Sequence, residues 1–423
     1  MLIEPWAETV DLRQLTEGAK ALDSADPLAY ARALFVLPEG VTYLDGNSLG
    51  AMPKSVMPRV QEVLEQQWAE DLIASWNRHG WIDLPLRVGE RIAPLIGAAQ
   101  GQTLCVDSIS VNLFKLLATA IQLQDSRSVI LIAEGDFPTD GYVAAGLALL
   151  LAERCEIRRV PIAQLPSVLD DSVAVVMLTE VNYRTGERYP MAELTELAHD
   201  AGALMLWDLA HSAGVMPIHL DDCNVDMAVG CGYKFLNGGP GAPGFLYLNK
   251  RLHNRVQQPL AGWLGHAKPF AFDARYSPAA GVARYLAGTP PIISMQALDA
   301  ALDVFDRVSV HAIRQKSVDL SRFLLEALQG LDVLETLRCL TPGTESARGS
   351  QISLQHADAW GMSQALIERG VIVDFRAPDI LRIGIAPLYN SFADMHRCAQ
   401  ALRDVLVSKA YDDPKYAVKL TVT

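Results

Sequence analysis

None of the six cysteines (Cys105, Cys155, Cys223, Cys231, Cys339 and Cys398) forms a CxxC pair with another. The chain therefore lacks the spacing of a zinc cluster and gives no sign of a disulfide framework. It also lacks a long apolar run. The longest, such as residues 143–152, is about half the roughly 20 residues that span a bilayer. Positive charge is scarce, with 36 Lys and Arg against 49 Asp and Glu, a net charge of −13 and no basic run. Nucleic-acid binding calls for a basic stripe, so that class of partner is excluded. The first eight residues, Met1 to Glu8, are acidic and lack the charged start and apolar core of a signal peptide. HExxH and the phosphate-binding GxxxxGK motif are both missing. His79, His211 and His219 lie in separate loops without ligand spacing. These absences predict a cytoplasmic, reduced protein with no metal site and no membrane segment.

What is present is ordinary globular material. Half of the 423 residues are apolar and a fifth are charged, enough chain for a large core and two domains. Residues 1–40 carry helical patterning (Leu12, Leu15, Ala19, Leu22) and read as an N-terminal arm. A short strand at 41–45 runs into the polar turn Gly46-Asn47-Ser48-Leu49-Gly50. Pro53 opens an amphipathic helix to about residue 71, an aromatic loop covers 76–81, and a further helix covers 86–96. From residue 103 onward apolar strands alternate with helices. Strands are expected at 104–106, 128–133, 173–178, 203–207, 225–229 and 245–248, and helices at 111–122, 141–153 and 191–201. That alternation predicts an α/β fold with a mostly parallel, seven-stranded type of sheet covered on both faces. After 291 a long helix runs from 294 through 308 and continues or kinks into 311–328. Short strands at 351–354, 372–374 and 380–385 then alternate with helices at 359–369 and 392–406, and an extended tail is expected from 411. The expected division is an arm (1–40), a large domain (41–295) and a smaller C-terminal α+β domain (296–423).

Two strand ends carry the chemistry. The run 203–207 stops at Asp208, and the run 225–229 stops in a small-residue turn carrying Lys234. In one parallel sheet both emerge at the carboxyl edge, where open α/β sheets bind ligands. A lysine and an acid there suit pyridoxal phosphate, the lysine as a Schiff-base former and the acid as partner to the pyridine nitrogen. A loop salt bridge is the plainer reading of the pair. His211, Tyr233 beside the lysine, and the glycine-rich run from Gly238 to Gly244 favour the cofactor. Ser108 to Ser110, between a strand and a helix, reads either as an anion site or as an N-cap. Phe137 is positioned to stack on a planar ring or to join the core, and Asp140 either contacts a ligand or caps a helix. Arg382, mid-strand among apolar residues, needs a partner. A substrate carboxylate is one and the segment Asp374 to Arg376 another, and the alternation equally allows an outward-facing arginine paired at the surface.

With these residues in place, the chain resembles the kynureninase family of fold-type-I pyridoxal-phosphate enzymes over nearly its whole length. The resemblance is carried by Leu44-Asp45-Gly46-Asn47-Ser48-Leu49-Gly50, Ser110-Val111-Asn112-Leu113, Phe137-Pro138-Thr139-Asp140, Trp207-Asp208-Leu209-Ala210-His211 and Tyr233-Lys234-Phe235-Leu236-Asn237. Further along, Gly262-Trp263-Leu264-Gly265-His266, Gly288-Thr289-Pro290-Pro291 and the stretch from Arg382 through Phe392 extend it. The lysine segment alone marks only the superfamily. GNSLG, GWxGH and APLYNSF in this order are more specific.

The resemblance implies that Lys234 carries pyridoxal 5'-phosphate, Asp208 pairs with its ring nitrogen, and His211 and Phe137 support the ring. Ile109 and Ser110, with Tyr233, Thr179 and Asp140, complete the cofactor contacts. Trp263 and Thr289 match residues lent by the other protomer, so the implied assembly is a homodimer with its site at the interface. Asn47, Ser48 and Arg382 match the substrate pocket, with Arg382 taking the carboxylate. Thr289 stands where some relatives have asparagine, which leaves open the choice between L-kynurenine and its 3-hydroxy form. The implied reaction, in tryptophan catabolism, is hydrolysis of L-kynurenine to anthranilate and L-alanine, with Lys234, Tyr233 and Asp208 catalytic. Two alternatives stand beside it: a cysteine-desulfurase-like enzyme using Cys339, and a catalytically silent scaffold on the same fold.

Overall fold

The computed structural model describes residues 12–124 and 126–419. They pack as two compact units, one holding the described residues up to Ala51 together with Arg184–Glu187 and those from Arg307 onward, the other holding Met52–Tyr183 and Arg188–Asp306. No helix among the described residues is long and apolar enough to cross a membrane.

The second unit is built on a seven-stranded sheet. In chain order its strands are β1 (Thr103–Cys105), β2 (Val129–Ala133), β3 (Glu156–Val160), β4 (Val173–Thr179), β5 (Leu204–Asp208), β6 (Met227–Cys231) and β7 (Gly244–Leu248). Their spatial order is β1-β7-β6-β5-β4-β2-β3. Only β7 runs against the others. The mostly parallel α/β sheet expected from the strand–helix alternation is the one observed. Every residue of β4 is buried, as a strand covered on both faces by helices requires. Helices Ile109–Leu123, Pro138–Leu151 and Met191–Asp200 supply the cover. One apolar core joins Leu113, Leu116 and Leu117 to Ile130, Val175, Leu206 and Val229.

Strand β3 was not expected from the sequence. Its residues Glu-Ile-Arg-Arg-Val are mostly exposed or half-buried, because it lies at the sheet edge, where polar residues blunt further pairing. The helix expected at 53–71 begins at Val56 and passes into a wider π-type turn over Val63–Trp68.

In the first unit a four-stranded antiparallel sheet has the order Arg338–Cys339, Gln351–Gln355, Ile380–Gly384, Asp374–Arg376. Helices Leu12–Ala25, Val310–Gly330, Ala359–Ile367 and Phe392–Ser408 share its core. The long helix expected from 294 is two helices, Ile292–Ala301 and Val310–Gly330. The second is restarted by Ser309, whose hydroxyl accepts the Ala312 N–H at 3.2 Å. The extended tail expected from 411 is instead two short helical turns. They are pinned where the Trp360 indole N–H donates to the Tyr416 carbonyl at 2.8 Å.

Candidate active site

Parallel pairing sets Thr179 beside Asp208 and Asp208 beside Val229, so the ends of β4, β5 and β6 form one carboxyl edge. The chain leaves β6 at Cys231 and returns antiparallel at Gly244, directly opposite. Lys234 therefore sits in the loop that crosses this edge. The loop closes on itself through Gly232 N–H to the Pro243 carbonyl (3.0 Å) and Gly238 N–H to the Gly232 carbonyl (2.8 Å). Gly239, at φ +82°, takes a turn that a side chain would strain.

A cavity of about 270 Å³ opens at this edge, lined by Ser108, Ile109, Ser110, Phe137, Asp140, Thr179, Asp208, His211, Tyr233 and Lys234, with Thr139, Tyr183 and Cys231 beside them. The Lys234 ammonium lies 2.9 Å from His211 Nε2. Asp208 is 3% exposed, and one of its carboxylate oxygens accepts the Ala210 N–H at 2.8 Å. Burial raises the Asp208 carboxyl above its ordinary range, against the pull of Lys234. Asp140, on the first turn of the helix from Pro138, is raised further by burial and then by the charges of Asp208 and Asp136. Its Oδ1 is buried and has no hydrogen-bond partner among the described residues. The site thus sets two buried acids, Asp140 and Asp208, against one lysine, and such burial is costly unless further positive charge is bound.

At the opposite wall the helix from Ile109 begins. Ser108 caps it weakly, its hydroxyl accepting the Val111 N–H at 3.4 Å. The first-turn amides of an α-helix have no intrahelical carbonyl and favour an anion. Ser108 is therefore an N-cap as well as part of a cavity wall. Gly244 lets this turn sit close to the sheet, since a Cβ there would lie 3.1 Å from the Ile109 nitrogen and 3.0 Å from the Gly230 carbonyl.

The Phe137 ring is 44% exposed and meets Tyr183 edge-on, 5.2 Å between centroids. The Thr179 hydroxyl donates to the Val181 carbonyl at 3.0 Å, and its N–H donates to Asp136 at 3.1 Å. Burial and neighbouring groups raise the Tyr233 phenol, so it stays protonated at neutral pH. Asp136, whose carboxyl burial raises to about 7, and Tyr183 were not singled out from the sequence. Both stand at strand ends, which was the signal available.

The remaining expected residues lie elsewhere. Trp263 and Thr289 belong to the same unit but not to the wall of this cavity. Trp263 occupies a helical turn with its ring against Phe270, and Thr289 is exposed. Asn47, Ser48 and Arg382 belong to the other unit. There Arg382, 1% exposed, stands directly across the sheet from Asp374 and forms an ion pair with it, Nε donating at 2.9 Å. Arg382 also donates to the Ser48 hydroxyl at 3.1 Å, and Arg376 binds the second Asp374 oxygen at 3.0 Å. Asp45 nearby is raised to about 6, chiefly by burial and then by Asp374. The Asn47 amide donates to Gln351 at 3.2 Å. Arg382 does not face outward to pair at the surface, because it is buried in the strand, where Asp374 of the local set pairs with it.

Residues 313–402 match the family model for the kynureninase C-terminal domain. The whole chain is similar to the kynureninase of Burkholderia pseudomallei (strain 1106a), 48% identical over 412 residues, 96% of this chain and 99% of that one. It is also similar to the kynureninase of Pseudomonas fluorescens, 44% identical over 408 residues, 95% of this chain and 98% of that one. The chain belongs to the kynureninase family. Solved structures share its fold at low identity. A cysteine desulfurase from Thermococcus onnurineus NA1 superposes with a TM-score of 0.74 at 18% identity, over 90% of this chain and 98% of that one. A C-DES variant with glycine covalently linked to its PLP cofactor gives 0.73 at 19%, over 88% and 99%. At that identity the likeness speaks for fold alone. Cys339 makes a poor desulfurase thiol. Burial raises it above its ordinary value, and its sulfur donates to the Thr341 carbonyl at 3.6 Å.

The cavity's donor set suits pyridoxal phosphate: a lysine amine, a buried acid for a protonated ring nitrogen, and a helix N-terminus for a phosphate. Among the described residues no group of His, Cys, Asp or Glu is placed to hold a metal ion.

Proposed function

We propose that this chain is a pyridoxal-phosphate enzyme that hydrolyses the Cβ–Cγ bond of L-kynurenine, giving anthranilate and L-alanine. The observation that carries the reading is the meeting of Lys234 and Asp208 in one strand-edge cavity, in a chain 48% identical to a kynureninase. Lys234 anchors the cofactor, Asp208 pairs with its ring nitrogen, and Ile109 and Ser110 take its phosphate. Phe137, Asp140, Thr179, His211 and Tyr233 complete its surroundings. Bound there, pyridoxal phosphate offers a covalent hold on the substrate nitrogen and a sink for electrons released at the α and β carbons.

The chain's own groups do the proton work. The Lys234 amine, when free, would take the proton from the substrate α-carbon, with His211 at 2.9 Å to orient it. Asp208 stays anionic beside a cationic ring and so keeps that ring protonated. A water molecule adds to the γ-carbonyl, the Cβ–Cγ bond breaks, and anthranilate leaves. Tyr233, kept protonated by burial, gives the β-carbon its proton. Arg382, with Asn47 and Ser48, takes the substrate carboxylate, a task for which the guanidinium fork is well shaped.

The working form is a cytoplasmic homodimer in which Trp263 and Thr289 reach the partner's site. In support, Phe270 and Phe272, next to Trp263, are 63% and 78% exposed, and exposed aromatic clusters mark interfaces. Incubation with L-kynurenine and 3-hydroxykynurenine, followed by anthranilate fluorescence, tests the reaction and its substrate preference. Failure to release either anthranilate from cofactor-loaded protein would refute it.

A further inference from the structure

Lys115 is fully buried, yet it carries a charge. It lies on the helix Ile109–Leu123 among Leu113, Leu116 and Leu117, in the core under the sheet. A lone ammonium there is costly, so a partner is required. The partner is Asp107, whose carboxylate pairs with Nζ. A second bond runs from Nζ to the Tyr285 carbonyl at 2.5 Å.

Asp107 is the unexpected member. It directly precedes Ser108, Ile109 and Ser110, which line the cavity, and it is held at φ +49°. Its carbonyl accepts the Gly244 N–H at 2.7 Å, which fixes the turn to β7. A bare carboxylate one residue ahead of an anion-binding helix start repels a phosphate dianion. Asparagine tolerates the left-handed backbone as well as aspartate does, so φ alone does not call for the acid.

We propose that Lys115 is a positioning and charge-compensating residue for the phosphate turn, cancelling Asp107 from below and tying the turn to Tyr285. The inference rests on the cofactor reading above. It assigns Lys115 no contact with substrate or with the reacting atoms. It also predicts a pattern that a purely structural lysine would not give, because the effect depends on the ligand's phosphate.

The test is a spectrophotometric titration of cofactor-free protein with pyridoxal phosphate and, separately, with pyridoxal, which lacks the phosphate. Lys115→Met is expected to weaken pyridoxal phosphate about ten-fold or more while pyridoxal stays within about two-fold. Asp107→Asn, which keeps the lysine, is expected to bind pyridoxal phosphate as well as the parent or better. The double variant recovers most of the loss. Unchanged pyridoxal phosphate affinity in Lys115→Met overturns the proposal, as does an equal loss of both ligands. Should Lys115→Met not fold, Asp107→Asn decides alone, and a weakened pyridoxal phosphate affinity there overturns the proposal. Parent protein that takes up neither ligand overturns the cofactor reading and this inference with it, whereas normal uptake with unaffected variants removes this inference alone.

Discussion

Asp208 ends β5 and Asp136 follows β2, with β4 between them, and the two acids carry different burdens. Asp208 is expected to hold the ring nitrogen's proton. Asp208→Asn should therefore still take up the cofactor, while kcat falls about 100-fold or more because a neutral ring is a poor electron sink. Near-parent turnover in that variant would remove the assigned role. Asp136 accepts the Thr179 N–H and directly precedes Phe137. Its carboxyl titrates at about 7 in the fold because burial disfavours its charge. Its folded value lies above the unfolded one, so the stability this group contributes is complete below about pH 4 and is lost as pH rises through about 7. Asp136→Asn should thus gain about 1 kcal/mol or more over the parent at pH 8 relative to pH 5, read by calorimetry of the cofactor-free protein. A difference that does not change with pH would contradict the burial argument. At this scale Asp208 was legible because it ends an apolar run, Lys234 because it stands in the small-residue turn after another, and His211 because it lies three residues past Asp208. Arg382 was legible as a charge needing a partner. That Asp374 is the partner in the fold depends on strand register, which the sequence left open.

Elements were legible where their patterns were pure. The buried runs of β2, β4 and β5 are continuous apolar stretches, and the helices between them keep a steady period. Edge strand β3 was missed because exposure let it become polar. The break at Ser309 was only half seen, because apolar periodicity continues on both sides of it while the cap depends on a single hydroxyl. Gly244 links element packing to the site. Its backbone is not in a left-handed conformation, so the need for glycine there is one of space. Gly244→Ala should push the helix start at Ile109 away from the sheet and weaken pyridoxal phosphate about ten-fold, with secondary structure by circular dichroism unchanged. Full affinity in this variant would mean that the turn moves freely and the close approach has no role.

At the scale of the whole molecule, the α/β class and the family were readable from alternation and from ordered motifs. The role proposed for Trp263 and Thr289 concerns a second copy of the chain, which no residue pattern within one copy specifies. If each protomer lends Trp263 to the other, mixing inactive Lys234→Ala with inactive Trp263→Ala protein should restore activity. Random reassortment makes half the dimers hybrid, each with one intact site, giving roughly a quarter of parent activity. No recovery after exchange would place Trp263 in its own protomer's chemistry or outside it.

The covalent attachment point is the centre of the account. Borohydride reduction of the cofactor-loaded protein, followed by proteolysis and mass spectrometry, locates it directly. The account predicts a pyridoxyl group on Lys234 in the peptide containing Cys231-Gly232-Tyr233-Lys234-Phe235. A label on any other lysine, or no label on protein that cleaves kynurenine, would contradict it.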